Sequence, residues 1–286
     1  FSMDGSMRQV TDKPGNEYSP SVSPDGKRLA YLYSDNQKLA YRNSYLYVMD
    51  TDGSDDENLS AEVDNSIGNG RPYAFGTYDA AGGAVAFTKG ATDRPADLHV
   101  LKSGKTVQLT NLNEDLLGHK QLGDVHEIIY KSSIDGEEIQ GWYITPPNYD
   151  PTKKYPLILE IHGGPHLAYG PHFTAELQRF AAEGYVVFYD NHRGSSSYGE
   201  RFALLLQGKY SSEFDFADHM SGIDALIEQG VADPDQLYIT GGSAGGIASA
   251  YAIGLTDRFR AAAVAKPVIN WLSKVLTADS GLYQIP

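Results

Sequence analysis

The 286-residue sequence contains no cysteine. Disulfide scaffolds, zinc sites with thiolate ligands and cysteine nucleophiles are therefore excluded. No apolar run approaches the roughly 20 residues that a membrane-spanning helix needs, and residues 1–6 show neither the basic nor the apolar stretch of a signal peptide. We expect a soluble protein, and the sequence does not decide between the cytoplasm and the periplasm.

Positive charge is also scarce, with 23 lysine and arginine residues against 37 aspartate and glutamate residues and a net charge of −14. This balance disfavours nucleic acids and anionic membranes as partners. With 41% hydrophobic residues the chain can form a sizeable core. Because the first residue is Phe1 rather than methionine, we expect a piece of a longer protein, and its oligomeric state, a homo-oligomer included, stays open.

A repeat occupies the first third of the sequence. Similar segments end at residues 11, 60 and 110, a period of 49 to 50 residues, and strand-like runs precede the last two. A strand–turn–strand pattern covers 21–31, and a weaker copy covers 78–87. Short strands at this period are typical of β-propeller blades. We therefore predict all-β propeller blades over 1–123, about two of the at least four blades that a closed propeller needs.

The pattern of apolar and polar residues changes after about residue 124. Apolar strands alternate with helical patterns, and we predict strands near 127–130, 139–144, 157–161, 185–189, 237–239 and 262–265 and helices near 173–180, 216–230 and from about 246. This alternation predicts a doubly wound, mostly parallel sheet that is covered on both faces. We predict an α/β domain over 124–286, whose C-terminal part is missing after the sixth strand.

Residues 241–246 carry the motif with the clearest chemistry, Gly-Gly-Ser-Ala-Gly-Gly, between a predicted strand and a predicted helix. This is the G-x-S-x-G nucleophile elbow, in which Ser243 would project above the sheet. Gly241 and Gly245 stand where larger side chains would collide with the backbone. The following helix directs free N–H groups towards developing negative charge. The alternative is a glycine-rich turn with a solvated serine.

Residues 162–165, His-Gly-Gly-Pro, follow another predicted strand. They match the loop that supplies an oxyanion-hole N–H in esterases and related peptidases. The glycines would let the main chain approach a scissile carbonyl, and the N–H of Ala244 would be the second donor. The alternative is an ordinary strand-to-helix turn that needs flexible residues.

The chain resembles the prolyl oligopeptidase family of serine peptidases, and within it the acylaminoacyl-peptidase-like branch. The resemblance rests on the motifs at 162–165, 191–199, 241–246 and 266–271, in this order after the repeats. His192 stands where the family usually has proline. The resemblance covers about 125–286 as an α/β-hydrolase domain and the preceding repeats as the family's propeller.

The resemblance also implies roles for individual residues. Ser243 would be the nucleophile, and Gly164 and Ala244 would be the oxyanion donors. Trp271 lies where the family builds the wall of its S1 substrate pocket, although an ordinary core aromatic is an equal alternative. We expect no cofactor and no metal ion.

The catalytic triad is incomplete in this sequence. In α/β hydrolases an acid and then a histidine follow the serine, but the 43 residues after Ser243 contain none of the eight histidines. Asp257 and Asp279 come too early for the acid, and Asp257 is better interpreted as a loop residue after the elbow helix. An upstream base, His162, His166 or His192, is an alternative, but we favour loop residues that shape the pocket or meet solvent. We expect this chain alone to be nearly inactive.

Two acidic patterns have simpler interpretations than a site. The run 50–57 suggests calcium, but an EF-hand loop requires glycine where Asp55 stands, so we predict a solvated hairpin. Asp215 and Asp218 are i, i+3 neighbours that we assign to a helix N-terminus.

The sequence thus favours a serine peptidase that hydrolyses short peptides, N-acylated ones included, through an acyl-enzyme on Ser243. Its partner is a short peptide substrate, with no nucleic acid and no membrane. A carboxylesterase with the same elbow and a catalytically dead propeller–hydrolase binding protein are the alternatives.

Overall fold

The computed structural model describes residues 5, 7–34, 43, 45–62, 78–81 and 84–278. The strands are β1 (Asn16–Val22), β2 (Arg28–Ser34), β3 (Tyr45–Asp50), β4 (Glu57–Asn58), β5 (Tyr78–Ala81), β6 (Ala84–Lys89), β7 (Asp97–Lys102), β8 (Lys105–Gln108), β9 (Val125–Lys131), β10 (Glu138–Ile144), β11 (Tyr155–Ile161), β12 (Val186–Asn191), β13 (Ala232–Gly242) and β14 (Phe259–Ala265). The helices are α1 (Glu114–Leu117), α2 (Ala175–Ala182), α3 (Gly199–Ala203), α4 (Glu213–Glu228), α5 (Ala244–Leu255) and α6 (Trp271–Thr277), with a 3-10 turn at Leu204–Leu206.

The chain divides into two compact units. One contains Phe1–Asn69 and Gly194–Gly208, and the other contains Gly70–Arg193 and Lys209–Pro286. The division expected from sequence, 1–123 and 124–286, stays a prediction. None of the helices in the described ranges is long and apolar enough to cross a membrane.

The first unit contains a four-stranded antiparallel sheet in the order β1-β2-β3-β4. Its first hairpin has the turn expected from sequence: Gly26 has a φ of +73°, and its N–H donates to the carbonyl oxygen of Ser23 at 2.9 Å. The acidic run lies in the β3–β4 hairpin, where Asp52 accepts a hydrogen bond from the Ser54 N–H at 2.9 Å. The prediction of a hairpin in place of a calcium loop is therefore confirmed.

The second unit contains another four-stranded antiparallel sheet, in the order β5-β6-β7-β8. Tyr78 pairs with Phe87, which confirms the hairpin predicted at 78–87. Its turn residues Gly82 and Gly83 lie outside the described residues, as do Asp4 and Ser6 of the first repeat segment. Four antiparallel strands are also the content of one propeller blade, and the propeller expected over 1–123 stays a prediction.

A six-stranded mixed sheet in the order β14-β13-β11-β12-β10-β9 forms the core of the second unit. β12, β11, β13 and β14 are parallel neighbours, whereas β9 and β10 add antiparallel pairs at one side. Side chains alternate between the faces: Ile158 lies on the side of Phe180 in α2, and Leu159 on the side of Met220 in α4. The predicted mostly parallel sheet with helices on both faces is confirmed.

The loops that carry the motifs all lie at one edge of this sheet. β11 ends at Ile161, β12 ends at Asn191 and β13 ends at Gly242. Because these strands are parallel, their carboxyl ends meet at the same edge, where open α/β sheets bind ligands. Helix α5 begins at Ala244, two residues earlier than predicted, because the chain passes from the strand into the helix with only Ser243 between them.

Candidate active site

Ser243 is an exposed residue that connects β13 to α5 and has a φ of 57° and a ψ of −116°. A positive φ is costly for a residue with a β-carbon, on the order of 1–3 kcal/mol, and persists only where the surroundings fix it. Here the Ser243 N–H donates to the carbonyl oxygen of Ala265 at 3.0 Å, and the Ser243 carbonyl accepts from the Ile247 N–H at 3.0 Å. The strand–turn–helix geometry that the motif predicts is therefore present.

The glycines around Ser243 are required by close packing of the backbone. A β-carbon on Gly241 would lie 2.6 Å from the carbonyl carbon of Gly245, and one on Gly246 would lie 2.3 Å from the carbonyl oxygen of Ala265. Such approaches leave no space for any side chain. The elbow can therefore pass this close to β11 and β14 only with glycine at these positions.

The His-Gly-Gly-Pro loop lies directly beside Ser243. A β-carbon on Gly163 would lie 3.1 Å from the Gly242 carbonyl oxygen and 3.4 Å from the β-carbon of Ser243. Gly164 follows with a φ of +119°, and a β-carbon there would lie 2.7 Å from the nitrogen of His166. Ala244 begins α5, so its N–H is among those without a carbonyl partner inside the helix.

The buried side chain of His162 supports this loop. Its imidazole is buried, and its Nδ1 lies 2.7 Å from the carbonyl oxygen of Gly163. Burial lowers the pKa of His162 to about 4, so the ring is neutral near pH 7 and its Nδ1–H donates to that carbonyl. Of the two roles expected for His162 and His192, shaping the pocket or meeting solvent, contact with solvent is excluded, because both side chains are buried and their rings stack with centroids 4.7 Å apart.

Arg193 holds the loop that follows β12, a role that sequence reasoning missed. Its backbone N–H and its Nε each donate to Asp218 Oδ2 at 2.9 Å, and its Nη2 donates to Asp218 Oδ1 at 2.8 Å. The Arg193 and Asp218 side chains are 2% and 0% exposed. On the other side, Arg193 donates to Asp135, which lowers the pKa of that carboxyl group.

The two carboxylates on α4 therefore have different roles. Asp215 forms a capping box with Ser212, as expected for a helix N-terminus. Asp218 does not serve the helix N-terminus, which corrects the sequence interpretation, because the guanidinium of Arg193 binds it. No local sequence pattern pairs Asp218 with Arg193, which lies 25 residues earlier in the chain.

A buried cluster lies next to His162. The His219 Nδ1 lies 2.9 Å from Asp190 Oδ1, and the Tyr130 hydroxyl donates to Asp190 Oδ2 at 2.7 Å. Burial lowers the pKa of His192 well below its ordinary value. Burial alone would also lower the pKa of His219, but the neighbouring Asp190 carboxylate raises it above its ordinary value.

The remaining predicted positions lie on the elements after the elbow. Trp271 begins α6 and is 47% exposed, and its assignment to the wall of a substrate pocket stays a prediction. Asn270 caps the helix by accepting the Ser273 N–H at 3.0 Å. Asp257 lies in the loop after α5, as expected, and Asp279 lies outside the described residues.

Known proteins are similar to this chain in sequence. The sequence profile of the prolyl oligopeptidase family matches residues 171–285. An uncharacterized peptidase of Bacillus subtilis, YuxL, is 37% identical over 193 residues, which cover 67% of this chain and 29% of that protein. The acylamino-acid-releasing enzyme of Arabidopsis thaliana is 39% identical over 125 residues, which cover 43% of this chain and 16% of that enzyme.

A solved structure agrees over a longer stretch. The acylaminoacyl peptidase of Pyrococcus horikoshii superposes with a TM-score of 0.80 at 26% identity, covering 91% of this chain and 46% of that chain. The chain thus spans less than half the length of each of these relatives. Its resemblance to their family, which the four motifs indicated, is confirmed. The matched region, from just before α2 onwards, belongs to the prolyl oligopeptidase family of serine-type peptidases.

Proposed function

We propose that the protein is a serine peptidase that hydrolyses short peptides, N-acylated ones included, through an acyl-enzyme on Ser243. The observation that carries this proposal is the exposed Ser243 at a φ of 57°, with Gly163 of the loop after β11 packed against it. An exposed hydroxyl at a strained strand-to-helix turn is the arrangement that places a nucleophile above a sheet. Backbone strain of this kind persists where function requires it.

The reaction would follow the serine-hydrolase scheme. The Ser243 Oγ attacks the peptide carbonyl carbon while a base takes its proton, and the tetrahedral intermediate collapses when that base protonates the departing amine. Water then attacks the resulting ester and releases the acyl group, which regenerates the hydroxyl.

Gly164 and Ala244 are our candidates for the oxyanion hole. Negative charge develops on the carbonyl oxygen during attack, and two N–H groups fixed in advance would stabilise it. The Gly163 carbonyl is held by His162, which fixes the peptide plane that also carries the Gly164 N–H. The Ala244 N–H adds the positive end of α5.

The base itself is proposed to come from the full-length protein outside these residues. His162 does not suit the role, because its side chain is buried and this burial lowers its pKa to about 4. A general base works best with a pKa near the working pH. An acid and a histidine that follow the elbow in the chain would satisfy the order used by α/β hydrolases.

The substrate class is inferred from relatives and from the small sheets. Two relatives carry the names acylamino-acid-releasing enzyme and acylaminoacyl peptidase, which favours N-acylated peptides for this protein as well. The sheets β1–β4 and β5–β8 each match a propeller blade in form, and a propeller would admit short peptides while excluding folded proteins.

Hydrolysis by the full-length protein tests the proposal. We expect Ser243→Ala to abolish cleavage of an N-acetyl-aminoacyl anilide, whereas Ser249→Ala retains it, because Ser249 lies on the same helix with its hydroxyl donated to the Gly245 carbonyl. Rapid hydrolysis of simple esters with no anilide cleavage would instead indicate a carboxylesterase. Peptide binding without turnover in the wild type would indicate a dead binding protein, and undiminished turnover by Ser243→Ala would refute the proposal.

A further inference from the structure

Three potential metal ligands lie close together between β12 and α4, on the buried side of the His-Gly-Gly-Pro loop. Asp190 lies on β12, His192 follows two residues later on the same face, and His219 lies on α4, which packs against β12. All three are buried, with exposures of 0%, 2% and 3%. One carboxylate oxygen and one nitrogen from each imidazole all lie within 4.8 Å of one another.

The distances suit a small divalent ion. His219 Nδ1 lies 2.9 Å and His192 Nδ1 lies 3.9 Å from Asp190 Oδ1. Ligand atoms at about 2.0–2.1 Å from a tetrahedral zinc ion are separated by roughly 3.3–3.5 Å. The observed separations lie on both sides of this range, so small rotations of the two rings would bring the donors to bonding distance.

We propose that Asp190, His192 and His219 form a buried Zn²⁺ site. Two imidazole nitrogens and one carboxylate oxygen are ligands that zinc commonly takes, and three protein ligands leave one position for water. This inference goes beyond the proposed peptidase activity, and it replaces the expectation from sequence that the protein holds no metal.

Further contacts support the ligands from outside. The Tyr130 hydroxyl donates to Asp190 Oδ2 at 2.7 Å, which orients the carboxylate, and His219 Nδ1 faces both of its oxygens at 2.9 and 3.0 Å. Asp215 lines the same small cavity as His219. Hydrogen-bond partners such as Tyr130 fix the orientation of a metal-bound carboxylate.

The proposed ion would also support the candidate active site. The His192 ring stacks on His162 at 4.7 Å, and His162 holds the carbonyl of Gly163. An ion between β12 and α4 would therefore fix the histidine that orients the His-Gly-Gly-Pro loop. His192 occupies a position where the family usually has proline, so we assign the site to this chain and not to the family.

Metal binding by the full-length protein tests the site. After dialysis against a chelator, titration with Zn²⁺ alone should show one tight equivalent per chain that is lost in Asp190→Asn and His219→Gln. We expect these losses to exceed the roughly 10- to 100-fold weakening that removal of an outer partner causes. His126→Gln is the matched control, because His126 is exposed and stacks on Tyr143 away from the cluster.

A spectroscopic readout keeps the test valid if a variant fails to fold. Co²⁺ added to the folded wild type should give the intense visible bands of a tetrahedral site, and Zn²⁺ should displace it and raise the melting temperature. Absence of both a tight zinc equivalent and the cobalt bands in the folded wild type would overturn the proposal. Equal zinc stoichiometry in the wild type and in a folded His192→Gln/His219→Gln variant would overturn it too.

Discussion

Gly245 and Ile161 approach each other so closely that a β-carbon on Gly245 would lie 1.9 Å from the carbonyl oxygen of Ile161. This contact joins the start of α5 to the end of β11. Because Ile161 immediately precedes His162, the same contact sets the distance between Ser243 and the His-Gly-Gly-Pro loop. The elbow and the candidate oxyanion loop are thus positioned by one backbone approach.

Gly245→Ala should therefore separate these two elements. The added methyl group meets backbone that cannot move aside, and we expect a loss of more than about 3 kcal/mol in unfolding free energy, at or beyond the upper end for overpacking. The measurement is urea unfolding of the full-length protein. Gly254→Ala is the matched control on the same helix, where a β-carbon meets nothing within 4 Å, and alanine should be neutral or add up to ~1 kcal/mol. Equal stability of both variants would contradict this account of the elbow.

The Arg193–Asp218 pair gives a second prediction. Asp218→Asn removes the buried charge partner of the buried guanidinium and leaves only the half-exposed Asp135, so we expect a loss of about 3–5 kcal/mol. Asp135→Asn removes a partner whose side chain is 42% exposed, and a loss of at most about 1 kcal/mol is expected there. Chemical denaturation of both variants measures the difference. Similar losses in the two would show that burial does not govern this network.

Glu160 makes stability depend on pH. Burial, with smaller contributions from Glu176 and Asp190, raises the pKa of Glu160 from 4.5 to about 8. The folded protein then binds a proton that the unfolded chain releases, so this residue lowers the unfolding free energy as pH rises from about 4.5 to 8. Each pKa unit corresponds to about 1.36 kcal/mol, so the effect is on the order of a few kcal/mol.

Unfolding of Glu160→Gln across this pH range tests the effect. The variant should lack this decline and be more stable than the wild type at pH 8. Glu138→Gln, at the exposed start of β10, serves as the control and should follow the wild type. If the unfolding free energies of the wild type and of Glu160→Gln changed in parallel with pH, the pKa of Glu160 would not be raised in the folded protein.

Trp271 provides a test of the substrate pocket. If it lines the S1 wall, Trp271→Ala should raise KM for a substrate with an aromatic P1 residue by at least about tenfold, the loss expected when a good apolar contact worth ~1.4 kcal/mol is removed. Stability should change little, because the side chain is 47% exposed. Leu272→Ala, at 75% exposure, is the control. An unchanged KM in Trp271→Ala would show that Trp271 does not line the substrate pocket.

Much of the fold follows from periodicity and glycine placement. The strands at 157–161 and 237–239 and the helix on 216–230 were predicted because continuous apolar runs and helical spacing persist over many residues. Ser243, Gly163 and Ala244 meet at one edge because parallel strands bring their carboxyl ends together. Local pattern was sufficient for these features.

The features that could not be predicted from the sequence depend on contacts between residues that are far apart in the chain. Asp218 appeared to serve a helix N-terminus, because its partner Arg193 lies 25 residues earlier, before α3, and no local pattern pairs the two residues. The histidine cluster was missed for the same reason, because His219 reaches His192 and Asp190 only when α4 packs on β12. Burial of His162 and His192 leaves only the first of their two expected roles, shaping the pocket or meeting solvent.

Covalent labelling of the full-length protein tests whether Ser243 is the nucleophile. A fluorophosphonate probe followed by peptide mass spectrometry should find one phosphonyl adduct, on the peptide that contains residues 241–246, and Ser243→Ala should show none. Prior incubation with an N-acylated peptide substrate should slow the labelling. An adduct on another serine, or an active full-length protein that never acquires an adduct on Ser243, would contradict the account.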